Sequence, residues 1–269
     1  MRSAKKLLAV VAAVLVVLGS ATGPAGAESV KKGVSAANFD GVTDALSDVR
    51  AGWFYTWASD PQGISAPPGA EFVPMIWGQG SVTDDQLAAA KANGTTLLGF
   101  NEPDLDGQAK MSVDTALDLW PQLEGTGLRL GAPAVAFGGD VAGGWLDQFM
   151  SGAQARGYRV DFIPLHWYGG DFSAAATGEL QSYIEAVHNR YQLPIWVTEY
   201  ALTDFSVSPP RYPSSAEQAD FAAQSAAMLQ GLSYVERYAW FSLSTNTTPT
   251  GLYDGTTPND TGVAYRDAG

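Results

Sequence analysis

Two glutamates follow apolar segments that are typical of buried strands. Residues 97–102 read LLGFNE, and residues 195–199 read IWVTE, so each segment ends on a glutamate. Pro103 follows Glu102 and has no N–H for a strand ladder, so the first strand is expected to end there. Two carboxyl groups held at the ends of rigid strands are the minimum set for cleaving a glycosidic bond.

The neighbours of the two glutamates suggest which role each one has. Asn101 directly precedes Glu102, and an amide at that place can bond the 2-hydroxyl of a sugar. This interpretation makes Glu102 the acid/base and Glu199 the nucleophile. If the pair performs a retaining displacement, the two carboxyls are expected roughly 5–5.5 Å apart.

The elements that must position these glutamates alternate along the chain. Apolar and aromatic segments predict eight strands, near 32–36, 51–57, 72–77, 97–102, 128–133, 160–168, 195–200 and 238–242. Helical periods predict helices at 39–49, 83–92, 112–123, 144–155, 174–191 and 216–232, the last one capped by Ser215. No helix is predicted after Trp57, and the tail after Ser242 predicts an irregular return over the barrel. The pattern predicts an α/β fold, a single (β/α)8 TIM barrel with both glutamates at its C-terminal mouth.

Aromatic and polar residues near the other strand ends are the candidates for substrate binding. His166 can orient Glu199 or bind a hydroxyl, and a buried core histidine is its alternative role. The aromatic side chains serve either the cleft or the core, and we expect about half of Tyr55, Trp57 and Trp77 in each. The full set of binding candidates is Asn101, His166, Trp167, Tyr168, Tyr55, Trp57, Trp77 and Trp240.

The first 27 residues predict a secretory signal peptide. Arg2, Lys5 and Lys6 precede an apolar run from Leu7 to Leu18, and residues 25–27 read AGA, a small-residue cleavage site. The apolar run is shorter than the roughly 20 residues that a membrane span needs. We therefore expect residues 28–269 to form one exported, extracellular catalytic domain that is free of the membrane after cleavage and monomeric.

Composition excludes several classes of function. The formal net charge is −13, and such an acidic chain lacks the basic clusters that bind nucleic acid. With no cysteine and two histidines, the sequence predicts no zinc site. We expect neither a metal nor an organic cofactor.

The ordered motifs resemble those of glycoside hydrolase family 128. The resemblance rests on residues 99–104 (GFNEPD), residues 166–168 (HWY) and residues 196–200 (WVTEY), and it covers essentially the whole chain after the signal. It implies endo-acting, retaining hydrolysis of β-1,3-glucan in a barrel, with Glu102 as acid/base and Glu199 as nucleophile. Related barrels place a sugar-stacking tryptophan at the end of the last strand, which is where Trp240 lies, and packing in the core is the alternative role of this residue.

Two alternatives stay open at this point. One is a hydrolase of the same fold that acts on another β-glucan or on mannan. The other is a barrel that binds β-glucan without cleaving it, against which the presence of both Glu102 and Glu199 argues.

Overall fold

The computed structural model describes residues 31–269, so the predicted signal peptide lies outside the described residues. The eight barrel strands are β1 Lys32–Ser35, β2 Trp53–Tyr55, β3 Glu71–Phe72, β4 Thr96–Leu97, β5 Arg129–Leu130, β6 Ile163–Gly169, β7 Ile195–Leu202 and β8 Val235–Trp240. A short hairpin, β9 Tyr253–Asp254 and β10 Thr257–Pro258, follows them. The helices are α1 Val42–Asp48, α2 Asp84–Asn93, α3 Val113–Glu124, α4 Trp145–Arg156, α5 Ala176–Tyr191, α6 Ser215–Gly231 and α7 Asp260–Asp267, and residues 79–81 form a 3₁₀ turn.

The eight strands close into a parallel ring. Ladders join β3, β2, β1, β8, β7 and β6 in that order, and a separate ladder joins β4 to β5. Parallel bridges between Met75 and Leu98 and between Gly131 and Phe162 connect these two parts. The predicted (β/α)8 barrel is confirmed, and the C-terminal strand ends all open on one face.

Two local expectations were wrong. The N-cap of α6 is Ser214 and not Ser215, because the Ser214 hydroxyl accepts from the Glu217 backbone while the Glu217 carboxylate accepts from Ser214. This reciprocal pair is a capping box. The tail is not irregular, since it forms the hairpin β9–β10 and then α7, which packs on α6.

Helices α2 and α3 begin close to the predicted residues 83 and 112. The hydroxyls of Thr83 and Ser112 cap α2 and α3 by accepting from the backbone N–H three residues on. The described chain forms a loop between β2 and β3. Pro74 lies beside β4, where its carbonyl accepts from the Leu98 N–H at 2.9 Å. A proline has no N–H to donate, but this contact uses only its carbonyl.

Bulky side chains fill the N-terminal half of the barrel. Trp196 packs at 4.3 Å from Phe162 and 5.3 Å from Trp53, measured between ring centroids. The Arg237 guanidinium lies 4.4 Å from the Trp196 ring and forms an ion pair with Glu71. This filled floor leaves the C-terminal mouth as the open end of the barrel. Within residues 31–269, no helix combines the length and apolar character that crossing a bilayer requires.

Candidate active site

A groove crosses the C-terminal face of the barrel. Its volume is about 990 Å³, near the upper end of the usual range for ligand pockets. Side chains from the ends of β2, β3, β4, β6 and β7 line its centre, and the loops after β5, β7 and β8 form its borders. Both predicted catalytic residues lie in this groove, as the barrel topology requires.

The two glutamates come together from β4 and β7. One carboxylate oxygen of each, with a ring nitrogen of His166, forms a group whose atoms all lie within 4.8 Å of one another. Glu102 and Glu199 are 6% and 4% exposed, so neither is a solvated surface carboxylate. The predicted meeting of residues 102 and 199 across one groove is therefore confirmed.

A bulge in β7 aims Glu199 into the groove. In the pairing of β6 with β7, Leu165 lies opposite Val197 and His166 lies opposite Glu199, so Thr198 is skipped. Side chains alternate between the two faces of a strand, and Trp196 points into the barrel. With strict alternation from Trp196, the Glu199 side chain would point away from the barrel interior. The extra residue at Thr198 turns it back towards the interior. Bulges beside active sites often redirect a side chain in this way.

Three neutral donors surround the Glu199 carboxylate. Oε1 accepts from the Tyr55 hydroxyl at 2.9 Å and from the Trp57 indole at 2.8 Å, and Oε2 accepts from the Tyr168 hydroxyl at 2.5 Å. Burial and the charge of Glu199 hold the pKa of Tyr55 and of Tyr168 well above the usual range, so both phenols remain donors. Donors of this kind stabilise the ionised form of a carboxylate, which is the form that a nucleophile needs.

Glu102 has a different environment. Its backbone φ of 45° lies in the left-handed region that residues other than glycine rarely adopt, and such strain concentrates at functional sites. Its N–H donates to Ala134 on the neighbouring strand at 2.7 Å. Its Oε1 lies 2.7 Å from Nδ1 of His166. Glu102 thus has one side-chain partner, where Glu199 has three donors.

His166 links the two carboxylates. Its Nδ1 lies 3.5 Å from Oε2 of Glu199 as well as 2.7 Å from Oε1 of Glu102, so its nearer partner is Glu102 and not Glu199. Burial alone would lower the pKa of His166, but the charge of Glu199 and the hydrogen bond to Glu102 outweigh it and raise the pKa. Within residues 31–269 its buried Nε2 has no hydrogen-bond partner. This arrangement orients the imidazole towards the catalytic pair.

The other predicted binding residues divide into two groups. Asn101, Trp57, Trp77, Trp167 and Tyr168 line the groove, and the buried Oδ1 of Asn101 has no partner among the described residues. Tyr55 is fully buried and acts on Glu199 from below the groove surface.

The expectation for Trp240 was wrong. Its side chain is fully buried in the layer between sheet and helices, where its ring packs against Tyr200 and its indole donates to the Thr250 carbonyl. The next residue, Phe241, lines the groove instead. Strand alternation explains the error, because residues 238–240 at the end of β8 carry no charge and are buried on both faces, so the sequence does not reveal which face each one occupies.

Several groove residues were missed. Phe137 and Phe205 are 68% and 58% exposed, and both lie on loops that follow strands, as do Asp140 and Leu105. Loop residues carry no periodicity that could place them. A glycine-rich segment at residues 138–144 marked the loop after β5 without indicating its position over the groove.

Glu102, His166 and Glu199 also form a group with one potential metal-ligand atom each. Nδ1 of His166 already lies 2.7 Å from Glu102, and three neutral donors already bond to Glu199. This arrangement suits proton transfer and nucleophilic attack.

Known proteins resemble this chain in fold and in sequence. The family described as glycosyl hydrolase catalytic core matches residues 34–265. A GH128 (subgroup I) endo-beta-1,3-glucanase from Amycolatopsis mediterranei, solved in complex with laminaritriose, is 79% identical with a TM-score of 0.88, and the match covers 89% of this chain and 99% of that one.

More distant relatives match as well. A GH128 (subgroup VII) oligosaccharide-binding protein from Cryptococcus neoformans is 26% identical with a TM-score of 0.70, over 90% of this chain and 94% of that one. Alkali-sensitive linkage protein 1 of Schizosaccharomyces pombe is 34% identical over 213 residues. That match covers 76% of this chain, which spans 37% of the length of the yeast protein. The chain thus belongs to the glycosyl hydrolase catalytic core family and, within it, to glycoside hydrolase family 128.

Proposed function

We propose that this chain is a secreted, retaining endo-β-1,3-glucanase. The observation that carries the proposal is the Glu102–Glu199 pair, whose carboxylate oxygens approach within 4.8 Å in a groove that is open across the barrel face. This spacing matches the short separation of retaining enzymes and leaves less room than the roughly 6.5–9.5 Å that inverting enzymes use. The 79% identity to an endo-beta-1,3-glucanase supports the choice of substrate.

The reaction takes place in two displacements. Glu102 donates its proton to the glycosidic oxygen as ionised Glu199 attacks the anomeric carbon, so the C–O bond breaks and a glycosyl ester forms on Glu199. Glu102, now ionised, removes a proton from water, and the water oxygen attacks the same carbon and releases Glu199. The product keeps the β configuration.

The residues around the pair support these steps. Tyr55, Trp57 and Tyr168 stabilise the charge that Glu199 carries before attack and regains on release. His166 holds one oxygen of Glu102, which leaves the other oxygen to carry the transferred proton. The unpartnered Oδ1 of Asn101 supplies an acceptor for a sugar hydroxyl.

Substrate class and catalysis are tested together by release of reducing sugar. Laminarin and curdlan are compared with lichenan, cellulose and mannan, with Glu199→Gln as the control protein. We expect activity on the two β-1,3-glucans and a loss on the order of 10⁴-fold in kcat for the variant, as removal of a catalytic nucleophile produces. A higher rate on another polysaccharide would reassign the substrate.

A β-glucan-binding barrel without activity is the second candidate, since a related barrel is described as an oligosaccharide-binding protein. It predicts binding of laminarin with no release of reducing sugar by the wild-type protein. The buried, fully hydrogen-bonded Glu199 argues against it, because a binding surface has no need of an ionised carboxylate with three dedicated donors.

Secretion and the monomeric state are further parts of the proposal. Secretion rests on the signal-like residues 1–27, and mass spectrometry of protein from the culture medium tests it. We expect the exported chain to begin at Glu28. Light scattering tests the monomeric state.

A further inference from the structure

The loop after β5 borders the groove and is fastened to α5. The Tyr183 hydroxyl accepts from the Gly139 N–H at 3.2 Å, and the Tyr191 hydroxyl donates to the Gly139 carbonyl at 3.2 Å. Arg190 Nε donates to the Asp140 carbonyl at 3.0 Å. A Cβ at Gly139 would lie 2.7 Å from the Tyr183 oxygen, so this close approach needs glycine. Three side chains of one helix thus fix the backbone at residues 139–140.

The fixed backbone holds Asp140 in the lining of the groove. Among residues 31–269 the Asp140 carboxylate has neither a hydrogen bond nor an ion pair, although Asp140 and Tyr183 both line the groove. Burial raises the pKa of Tyr183, and the charge of Asp140 adds to this effect, so the phenol keeps its proton. Because the Tyr183 oxygen accepts from Gly139, its own hydrogen remains available to a ligand.

The groove suits neutral, hydroxyl-bearing ligands. Within the part of the chain that the structure describes, no Lys or Arg lines it, while Glu102, Glu199 and Asp140 do. A carboxylate that accepts from two hydroxyls forms charge-assisted bonds without needing a cation. An anionic sugar would instead meet like charge.

Asp140 is also separate from the hydrogen bonds of the catalytic trio. It follows β5, which lies between β4 and β6 in the ring of strands, whereas Trp57 and Phe241 follow β2 and β8 on the side of Glu199. None of the hydrogen bonds that hold Glu102, His166 or Glu199 involves Asp140 or Tyr183. The pair can therefore contact a sugar unit without disturbing the hydrogen bonds of the catalytic trio.

We propose that Asp140 and Tyr183 form a hydroxyl-binding subsite that holds a neutral hexopyranose unit of the substrate at the β5 side of the groove. Asp140 accepts from the sugar hydroxyls, and Tyr183 donates to one of them. This inference rests on the proposed function and adds to it a specificity-determining pair that takes no part in the chemistry.

Binding is measured with catalysis disabled. The Glu199→Gln protein is titrated by calorimetry with β-1,3-linked glucose oligosaccharides of two to six units. The same series is repeated with Asp140→Asn added, with Tyr183→Phe added, and with Asp220→Asn added as a charge-matched control. Asp220 is exposed on α6 and lies outside the groove lining.

The expected result is a loss that depends on chain length. Asp140→Asn weakens the binding of the longest oligosaccharide about tenfold, as the loss of a hydrogen bond to a charged group does, and leaves the shortest unchanged. Tyr183→Phe weakens the binding of the same oligosaccharides that Asp140→Asn affects. Asp220→Asn leaves the binding of every oligosaccharide unchanged.

Other results overturn the inference. Unchanged binding of every oligosaccharide by Asp140→Asn shows that no sugar contacts Asp140, and an equal loss at every length shows an indirect effect on the catalytic pair. Either result leaves the proposed function standing, provided that the wild-type protein hydrolyses laminarin. If Glu199→Gln binds none of the oligosaccharides and the wild type cleaves none, the proposed function and the subsite fail together.

Discussion

The indole Nε1 of Trp57 donates a 2.8 Å hydrogen bond to Oε1 of Glu199 and so joins the ends of β2 and β7. Trp57 adopts a φ of 58°, in the left-handed region that a bulky residue rarely occupies. Trp57, at the end of a strand, could have served only as a stacking surface, but it forms part of the environment of Glu199. The strained backbone at this position accompanies a specific contact with the Glu199 carboxylate.

Replacing Trp57 with Phe should impair the chemistry more than the binding. The ring remains, but Glu199 loses one of its three donors, so its ionised form is less stable. We expect kcat/KM on laminarin to fall about tenfold or more, the effect of losing a hydrogen bond to a charged group. The loss should lie in kcat, with KM close to its wild-type value.

The matched control is Trp77→Phe. Trp77 lines the groove and has no hydrogen bond to Glu199, so its replacement should raise KM and leave kcat close to its wild-type value. An unchanged kcat in Trp57→Phe would show that the indole does not assist Glu199 in the reaction.

Replacing Glu102 with Gln should remove acid catalysis selectively. General acid–base catalysis contributes typically 10²–10⁴-fold, so hydrolysis of laminarin should slow by about that factor. A laminaribioside with a 2,4-dinitrophenyl leaving group needs no proton, so its cleavage should retain a fast first step. Accumulation of the glycosyl-enzyme by mass spectrometry provides the measurement. Equal losses on both substrates would contradict the role given to Glu102.

His166 should titrate above the ordinary range for histidine. Burial opposes its charge, but Glu199 and Glu102 more than compensate and raise its pKa. The folded state therefore binds this proton more tightly than the unfolded chain does. The stabilisation is full below about pH 6.5 and is lost as the pH rises through the raised value.

NMR of the imidazole signals tests this, because the chain has only two histidines and His188→Gln leaves one. Urea unfolding at a series of pH values is the independent check. A His166 signal that titrates below the ordinary histidine pKa would show that burial outweighs the two carboxylates.

Trp240→Phe should affect stability and not substrate binding. The change leaves the buried Thr250 carbonyl without its donor, which costs about 1–3 kcal/mol of the free energy of unfolding. Because Trp240 lies behind the sheet, KM for laminarin should stay at its wild-type value. A raised KM with unchanged stability would return Trp240 to the substrate-binding set.

The two catalytic glutamates could be predicted because three levels of description agree. Apolar runs predict buried strands, alternating helices predict parallel pairing, and parallel strands in a barrel end on one face. In a parallel barrel of this kind, Glu102 and Glu199 lie at the same C-terminal face because each one stands at the end of its strand. What the pattern does not contain is the extra residue at Thr198, which reverses the direction of Glu199.

The aromatic residues were less predictable for a related reason. The side chains at residues 53, 55 and 57 all point into the barrel, but at successive depths. Trp53 lies in the filled floor, Tyr55 lies beside Glu199, and Trp57 lies at the mouth. Depth depends on strand tilt and stagger, which composition does not encode. Phe137 and Asp140 lie on a loop, whose path is set by contacts with α5 and not by any local pattern.

The central claim is that Glu199 forms a covalent bond to the sugar while Glu102 supplies the proton. Its most direct test uses a 2-deoxy-2-fluoro laminaribiosyl fluoride, which slows both displacements and has a leaving group that needs little acid. After digestion with pepsin, mass spectrometry should find the fluorosugar attached to Glu199, in the peptide that contains residues 195–202. Attachment at another residue, or an α-configured first product of laminarin hydrolysis by NMR, would contradict the account.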